Sequence, residues 1–433
     1  MLALMGYTMI VVFVILVMTR TMTALNALII VPVIFGLLLG HGSSMNAMIV
    51  DGIRMVAPTG VMLIFAILFF GIMLDSGLFD PVVRAILKFV RNDPVRIAVG
   101  TVALACTVAL DGDGTSTFLI TVTAMLPVYR RVGMNLYILA CLALLSIGVM
   151  NMLPWGGHTT RAIAALHLSS EQVFVPLVPV MVAGILYAFA AAYFLGMAER
   201  RRLGSVMVPA AGPEQHFSLA AVNGEAHLVR PNRIWANAGV TAALLVALTS
   251  GLVPMVLLFM IGTALAIMIN YPEPKLQKER IAAHAANVLA TVSLLFASGI
   301  FTGLLSGTGM VEAMARALVD VVPESLGPQI PLITALISMP FTYFMANDPY
   351  YFGVLPVIAE AAQAYGVPPA EVARAAVLGQ PVHVLSPLFA ALYLLVSLLG
   401  IDFVENQRFA IRWAVGSSLT MTAAAVLFGV ITV

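Results

Sequence analysis

Charged residues are scarce in this chain of 433 residues. Only 9% of the residues are Asp, Glu, Lys or Arg, whereas 61% are hydrophobic. A soluble domain carries about 25% charged residues. The composition therefore excludes a soluble globular protein and predicts a protein that crosses a membrane many times, surrounded by membrane lipids. The net charge of +1 says nothing about nucleic acid, but the sequence has no basic domain that would bind it, so nucleic acid is not expected as a partner.

Cysteine and long polar segments are also scarce. The two cysteines, Cys106 and Cys141, lie in apolar stretches, so the sequence does not predict a disulfide framework. The longer polar segments, at 198–234 and 271–282, are too short for a separate domain. Residues 1–20 lack a basic start and a cleavage site, and are expected to form a first transmembrane helix. Any chemistry must therefore take place within the membrane.

Apolar runs predict an all-α polytopic membrane protein with about ten spanning helices, because roughly 20 apolar residues cross a bilayer. The expected spans are about 3–19, 23–40, 58–79, 134–166, 172–197, 235–250, 252–270, 285–306, 371–400 and 408–431. Polar residues interrupt the spans at 134–166 and 371–400. Two further stretches, about 97–129 and 329–364, each hold two apolar arms of about 12–16 residues around a polar centre, which predicts re-entrant hairpins.

Basic residues predict that the two hairpins enter the membrane from opposite sides. The first hairpin is flanked by Arg84, Lys88, Arg91, Arg96, Arg130 and Arg131. Around the second hairpin, the sequence has no Lys or Arg between Arg316 and Arg374. Because Lys and Arg favour the cytoplasm, the first hairpin is expected to enter from the cytoplasm and the second from outside. Both chain termini are then expected to lie outside the cytoplasm.

The two halves of the sequence resemble each other. The segment FFGIMLDSGLFDPVV at 69–83 is similar to IFTGLLSGTGMVEAM at 300–314. Together with the opposite charge flanks, this similarity predicts inverted repeats at 1–197 and 235–433, joined by a cytoplasmic linker at 198–234. Inverted repeats with broken helices near the midplane of the membrane are typical of secondary transporters.

Four polar breaks interrupt the apolar sequence, at 111–117, 151–161, 346–351 and 379–387. Irregular backbone at membrane depth is tolerated only when it is buried in protein or lines a wet cavity. The N-terminus of a broken helix attracts anions and its C-terminus attracts cations. The four breaks therefore predict a site for a small polyvalent anion that travels with a cation.

Three carboxylates, Asp111, Asp113 and Asp348, stand in these breaks, where they would repel an anion. They are interpreted either as protonated carriers of protons or as groups that help to hold a divalent metal ion bound to the anion. Capping of a helix N-terminus is a third interpretation of each.

The other candidate residues at the breaks are glycines, hydroxyls, amides, two histidines and one arginine. The predicted substrate-binding residues are Gly114, Thr115, Ser116, Thr117, Asn151, Gly156, Gly157, His158, Thr159, Arg161, Asn347, His383 and Ser386. Glycines let the backbone approach a ligand closely. The histidines would bind substrate or a proton, or pack in the core. Arg161 would pair either with a substrate carboxylate or with a nearby acid.

The segments LDGDGTSTFLITVTAMLPVYRRVGMN, MNMLPWGGHTTRA and GQPVHVLSPL resemble those of the bacterial citrate–metal–proton symporters, and the resemblance covers essentially the whole chain. It implies proton-driven uptake of a citrate–divalent metal complex across the bacterial inner membrane. The ion-transporter superfamily to which these symporters belong implies a homodimer in which a transport domain moves like an elevator against a scaffold domain. No cofactor would be bound permanently, and a cation such as Mg²⁺ or Ca²⁺ would travel with citrate, in contact with Asp111 and Asp113.

This resemblance places the hairpin tips at 111–117 and 347–350 and the helix breaks at 156–159 and 380–386. The sequence departs from the family pattern at His158, where a proline is expected after Gly-Gly. The dicarboxylate carriers of the superfamily have Ser-Asn-Thr at both tips. This sequence has Gly-Thr-Ser-Thr and Ala-Asn-Asp-Pro instead, so sodium coupling of that kind is not predicted.

A free citrate trianion would require several Arg or Lys side chains, whereas Arg161 is the only Arg or Lys in the four breaks. A complex with a divalent metal carries about one net negative charge, which fits the acids better. The alternatives are a proton- or sodium-coupled carrier of another di- or tricarboxylate without metal, and a cation channel or antiporter. A membrane enzyme is not predicted, because the sequence has neither a HExxH motif nor a phosphate-binding loop.

Cysteine labelling tests the predicted topology. Single cysteines near Gly327 and Val367 are expected to react with a membrane-impermeant thiol reagent from outside. Cysteines near Asn92 and Val132 are expected to react only from the cytoplasmic side, because Lys and Arg cluster there. Reaction of all four positions from the same face would show that the two halves are not inverted.

Overall fold

The computed structural model describes residues 1–90, 93–204, 226–250 and 252–432, and within these ranges the secondary structure is helical, without a strand. The first half holds α1 (Leu2–Met18), α2 (Ala24–Leu38), α3 (Met45–Asp75), α4 (Asp80–Val90), α5 (Pro94–Val108), α6 (Gly114–Val132), α7 (Leu136–Met150), α8 (Gly157–Ala165) and α9 (Ser170–Leu203). The second half holds α10 (Ile234–Ser250), α11 (Met255–Asn270), α12 (Pro274–Gly307), α13 (Met310–Val319), α14 (Ile330–Phe344), α15 (Leu355–Gln363), α16 (Pro369–Ala376), α17 (Gln380–His383), α18 (Ala390–Leu399) and α19 (Phe403–Leu427).

The two halves repeat one order of elements: two apolar helices, a long helix, a short amphipathic helix, a hairpin, a broken helix and a further helix. The long helices α3 and α12 pack on each other, while α2 packs on α12 and α11 packs on α3. This exchange of partners is what a two-fold relation between the halves produces. The orientation of the halves across the membrane stays a prediction.

Small residues allow the close contact between the two long helices. The backbone of α3 at Gly52 lies against the backbone of α12 at Gly299 and Gly303, and a Cβ atom on any of the three would collide with the opposite helix. In a membrane such approach favours helix association through packing. This close contact joins the long helix of the first half directly to the long helix of the second half.

Five of the described helical segments are long and apolar enough to cross a membrane: α3, α5 with its extension to Asp111, α9, α12 and α19. Six shorter apolar helices of 10–17 residues accompany them. The predicted spans 58–79 and 285–306 lie largely within longer helices, since α3 begins at Met45 and α12 at Pro274. Hydropathy marks the apolar part of a helix, whereas both helices continue past it into polar sequence.

Both predicted hairpins have helical arms. The first has α5, continued by a 3₁₀ turn at Ala109–Asp111, and α6; the second has α14 and a π-helical segment, Pro349–Val354, that continues as α15. The arms of the first hairpin are longer than the expected 12–16 residues, at 18 for Pro94–Asp111 and 19 for α6. The reason is that the helix α6 includes polar residues at its start and the two arginines at its end.

Helices extend into both ends of the predicted linker at 198–234, since α9 ends at Leu203 and α10 begins at Ile234. Helix α9 continues to Leu203, with Arg200, Arg201 and Arg202 in its last turn, where positive charge interacts favourably with the helix C-terminus. Residues 205–225 of this linker lie outside the described residues.

The positions suggested for cysteine labelling differ in exposure. Gly327, Val367 and Val132 are buried, whereas Ser325, Ala364 and Arg131 beside them are exposed. The exposed neighbours are therefore the better positions for the labelling experiment. Asn92 lies outside the described residues.

A buried charge cluster, which no sequence motif indicated, ties α3 to α12. Nε2 of His284 donates to Oδ2 of Asp75 at 2.9 Å, and Nη1 of Arg280 lies 3.6 Å from the same oxygen. All three side chains are at most 16% exposed. If one member of such a buried pair is removed, the charge of the other is left uncompensated, which lowers the free energy of unfolding.

We expect Asp75→Ala to lower the free energy of unfolding by about 3 kcal/mol, because it leaves buried basic groups without their acid. The matched control is Asp51→Ala on the same helix, whose side chain pairs with Arg54 at 61% and 77% exposure and is expected to contribute about 0–1 kcal/mol. Reversible unfolding of the purified protein in SDS–detergent mixtures measures both. Equal stability of the two variants would contradict the role given to Asp75.

Candidate functional site

The tip of the second hairpin contacts both helix breaks. Nε of Arg161, in α8, donates to Oδ1 of Asp348 at 2.6 Å. Nδ2 of Asn347 lies 2.8 Å from Nε2 of His383, and the ring centroids of His383 and His158 are 5.0 Å apart. Five of the predicted site residues, from three separate segments of the chain, therefore lie next to one another.

The tip of the first hairpin approaches the same region through two aromatic residues. Nε1 of Trp155 donates to the carbonyl oxygen of Leu110 at 2.8 Å. A Cβ atom on Gly114, the first residue of α6, would lie 3.2 Å from the ring of Phe389, and the centroid of this ring is 5.8 Å from that of His383. The four breaks predicted from sequence are thus neighbours in the structure.

The two acids of the first tip shape its turn. Oδ1 of Asp111 accepts from the backbone N–H of Asp113 at 2.9 Å, and Oδ2 of Asp113 accepts from the backbone N–H and the hydroxyl of Ser116, both at 2.7 Å. Asp113 is therefore the N-cap of α6. Gly112 between the acids has φ +79°, which glycine adopts without strain. Oδ2 of Asp111 and Oδ1 of Asp113 make no hydrogen bond within the described ranges.

Three of the predicted hydroxyl ligands already donate to backbone carbonyl groups. The pairs are Thr117 to Asp113 at 2.8 Å, Thr159 to Asn151 at 3.1 Å and Ser386 to Tyr343 at 2.6 Å. The carbonyl of Asp113 also accepts the backbone N–H of Thr117. The carbonyls of Asn151 and Tyr343, at helix ends, need a donor inside the protein, because the bilayer offers none. These three hydroxyls therefore keep only acceptor capacity for a ligand. Thr115 is exposed at the first turn of α6.

The glycines of the break at 151–161 stand at the start of α8. Gly156 is the N-cap of this helix and Gly157 is its first residue. The guanidinium group of Arg161 donates a second hydrogen bond, from Nη1 to the carbonyl oxygen of Gly157. The guanidinium group is thus anchored to its own helix as well as to Asp348.

Hydrogen bonds determine the tautomer of His383. A carbonyl oxygen only accepts, so Nδ1 of His383 donates to the carbonyl oxygen of Thr342 at 2.7 Å. Nε2 of the neutral ring then accepts from the amide of Asn347. Both ring nitrogens are occupied within the protein, which favours a positioning role for this histidine.

Several buried polar atoms at the breaks have no hydrogen-bond partner among the described residues. They are Nδ2 of Asn151, Nδ1 of His158, Oδ1 of Asn347, Oη of Tyr350 and Oε1 of Gln380. A buried polar group without a partner costs about 1–3 kcal/mol and is rare. One donor amide, three atoms able to accept and one tyrosine hydroxyl in this region indicate a polar ligand or bound water. Gln380 belongs to the break predicted at 379–387 but was not among the predicted ligands, because its neutral side chain carries no distinctive signal.

The charge at the site is set by one cation and three acids. Arg161 and Asp348, with side chains 22% and 13% exposed, neutralise each other, and the acids of the first tip have no basic partner within the described ranges. The described residues hold no cluster of three or more His, Cys, Asp or Glu side chains that would bind a metal ion. Asp111 and Asp113 offer two unbonded oxygens, whereas Mg²⁺ and Ca²⁺ take about six to eight oxygen ligands. A divalent ion here would need oxygens from a bound molecule as well.

The chain matches a protein-family model described as citrate transporter over residues 3–379. It is 53% identical over 434 residues to a Bacillus subtilis protein named citrate transporter, covering 100% of both chains. Two other Bacillus subtilis proteins, named uncharacterized transporter YraO and Mg(2+)/citrate complex secondary transporter, are each 47% identical, also with 100% of both chains covered.

Two solved structures have a similar fold. The YdaH transporter of Alcanivorax borkumensis has a TM-score of 0.58 and 16% identity, over 88% of this chain and 86% of that chain. MtrF of Neisseria gonorrhoeae, from a class of antimetabolite efflux pumps, has a TM-score of 0.54 and 15% identity, over 88% and 82%. At such identities the similarity concerns the fold alone, and it confirms the expected all-helical transporter fold.

The charge of Asp113 can be separated from its capping role. Asp113→Asn keeps an oxygen that caps α6, because Asn and Asp are equally good N-caps, but it removes the negative charge. We expect this variant to insert and fold normally and to lose uptake of citrate, the substrate expected from the sequence, in proteoliposomes. The control Asp113→Ala also removes the cap, which costs about 0.5–2 kcal/mol. Uptake by Asp113→Asn at the wild-type rate and with the same pH dependence would leave Asp113 with a capping role only.

Proposed function

Because the chain belongs to the citrate transporter family, we propose that it takes up citrate as a complex with a divalent metal ion, in symport with protons, across the bacterial inner membrane. Members of this family are transporters and not enzymes, as expected from the sequence. The chain is thus a multi-pass membrane transporter, and the substrate form, the coupling ion and the movement are the proposed parts.

The charge balance of the site carries the proposal. The breaks hold three carboxylates and one guanidinium group, which is already paired with one of these carboxylates. Such a site repels a trianion but suits a complex whose metal ion cancels most of the charge of citrate. The two unbonded oxygens of Asp111 and Asp113 complement the carboxylate and hydroxyl oxygens that citrate itself gives to a hard cation. The Mg(2+)/citrate complex named for one relative supports this form of the substrate.

The remaining charge of the complex would be matched by helix ends and amides. Helix α6 begins at the first hairpin tip, and α8 begins in the break at 151–161. Helix N-termini attract negative charge. The unpartnered amide of Asn151 adds a neutral donor in the same region. His158, Gly156 and Gly157 would contact the substrate from the start of α8.

An elevator movement is the proposed route across the membrane. The scaffold would include the paired helices α3 and α12, and the transport domain would include the two hairpins and the two broken helices. Trp155 of the transport domain packs on Phe70 and Phe259 of α3 and α11, with ring centroids 5.0 Å away in each case. Aromatic contacts without hydrogen bonds across them would let one domain slide along the other. A homodimer formed through the scaffold belongs to the same proposal.

Metal dependence tests the proposed substrate. We expect EDTA to lower radiolabelled citrate uptake into proteoliposomes severalfold, and excess Mg²⁺ or Ca²⁺ to restore it, because a free trianion lacks basic partners at the site. Protein-free liposomes and collapse of the pH gradient serve as controls. Undiminished or faster uptake without metal would favour the alternative, a proton- or sodium-coupled carrier of free di- or tricarboxylates, in which the acids serve coupling only.

A further inference from the structure

The ion pair between Arg161 and Asp348 joins the two halves of the chain at the site. Arg161 lies in α8 of the first half, whereas Asp348 lies at the second hairpin tip, 187 residues later. Both side chains are mostly buried, at 22% and 13% exposure. Removing one partner of a buried pair leaves the other charge uncompensated, which costs several kcal/mol. Each charge therefore depends on the other as long as the site is empty.

We propose that a carboxylate of the citrate complex displaces Asp348 from Arg161, and that the released Asp348 then takes up the coupled proton. This inference rests on the proposed function and assigns the proton to one residue. The proton comes from the solution on the side from which citrate enters, and it binds to a carboxylate oxygen of Asp348 without any other bond being broken. On release of citrate the proton leaves and the pair of Arg161 and Asp348 forms again.

We assign the proton to the carboxylate of Asp348 on the basis of the ionisable groups and the elements that surround it. Nε of Arg161, in α8, donates to Asp348, and the ring of His383, in α17, has both nitrogens engaged within the protein. The ring of His158, also in α8, packs on the ring of His383. The π-helical segment after Asp348 contacts α1, α8 and α12. Helix α1 has no charged residue, and residues 290–307 of α12 carry no charge either. Once Arg161 has turned to citrate, no other arginine or lysine of these elements faces Asp348, so the ionised form loses its stabilising partner.

This exchange accounts for symport by linkage. Citrate favours protonation of Asp348, so a proton must favour citrate binding by the same factor. The loaded site would then carry both the complex and the proton. The empty site would return with Arg161 and Asp348 neutralising each other, which avoids moving a bare charge through the membrane.

Proton uptake on binding tests the exchange directly. Purified full-length protein in detergent is titrated with Mg²⁺–citrate at pH 7.5 in weak buffer that contains a pH indicator, with protein-free titrations subtracted. We expect wild-type protein to take up protons and Asp348→Asn to take up about one fewer per site. The Kd of the wild type should rise up to about tenfold per pH unit for one linked proton, and that of Asp348→Asn should change much less.

Two further variants complete the test. Asp320→Asn, at an exposed carboxylate after α13, should behave as wild type, and Asp348→Glu should restore the pH dependence that Asp348→Asn loses. If wild-type protein does not bind Mg²⁺–citrate in calorimetry, both the proposed function and the exchange are wrong. If wild-type protein binds it but Asp348→Asn keeps the proton uptake and pH slope of wild type, only the exchange is wrong.

Discussion

The structure depends on one constraint: within a bilayer, each backbone N–H and carbonyl group must find its partner in the protein. Four interruptions of helix create freed groups at membrane depth, and side chains satisfy many of them. Trp155 donates to the carbonyl of Leu110, Asp113 caps α6, and three hydroxyls donate to carbonyl groups at the breaks. The polar atoms left without a partner among the described residues, on amides, a histidine and a tyrosine, mark the space that remains for a ligand.

The two halves share an order of helices but not their chemistry. The first tip holds two acids around a left-handed glycine, whereas the second tip holds Asn347 and Asp348 before a π-helical turn. The basic side chain, Arg161, belongs to the first half and binds the acid of the second. A repeated scaffold thus supports an unsymmetric site, which suits a substrate that combines an anion with a cation.

Much of the fold followed from sequence because polar residues inside an apolar run have few possible structures. The hairpins predicted at 97–129 and 329–364 have arms that span 94–132 and 330–363. The contact between Arg161 and Asp348 could not be predicted, because their separation of 187 residues carries no local signal. The hydrogen bonds that the hydroxyls donate inside the breaks could not be predicted either, because they depend on the positions of individual carbonyl groups. The role of each site residue in transport stays a prediction.

The position of Trp155 between Phe70 and Phe259 has a spectroscopic consequence. The chain has three tryptophans, and Trp235 is 88% exposed, so it reports on the surroundings of the protein. Replacing Trp235 and Trp413 with Phe would leave one indole at the contact between the proposed moving and stationary parts. Its fluorescence would then change in intensity and wavelength whenever the aromatic neighbours separate, so the protein contains its own optical reporter of domain displacement.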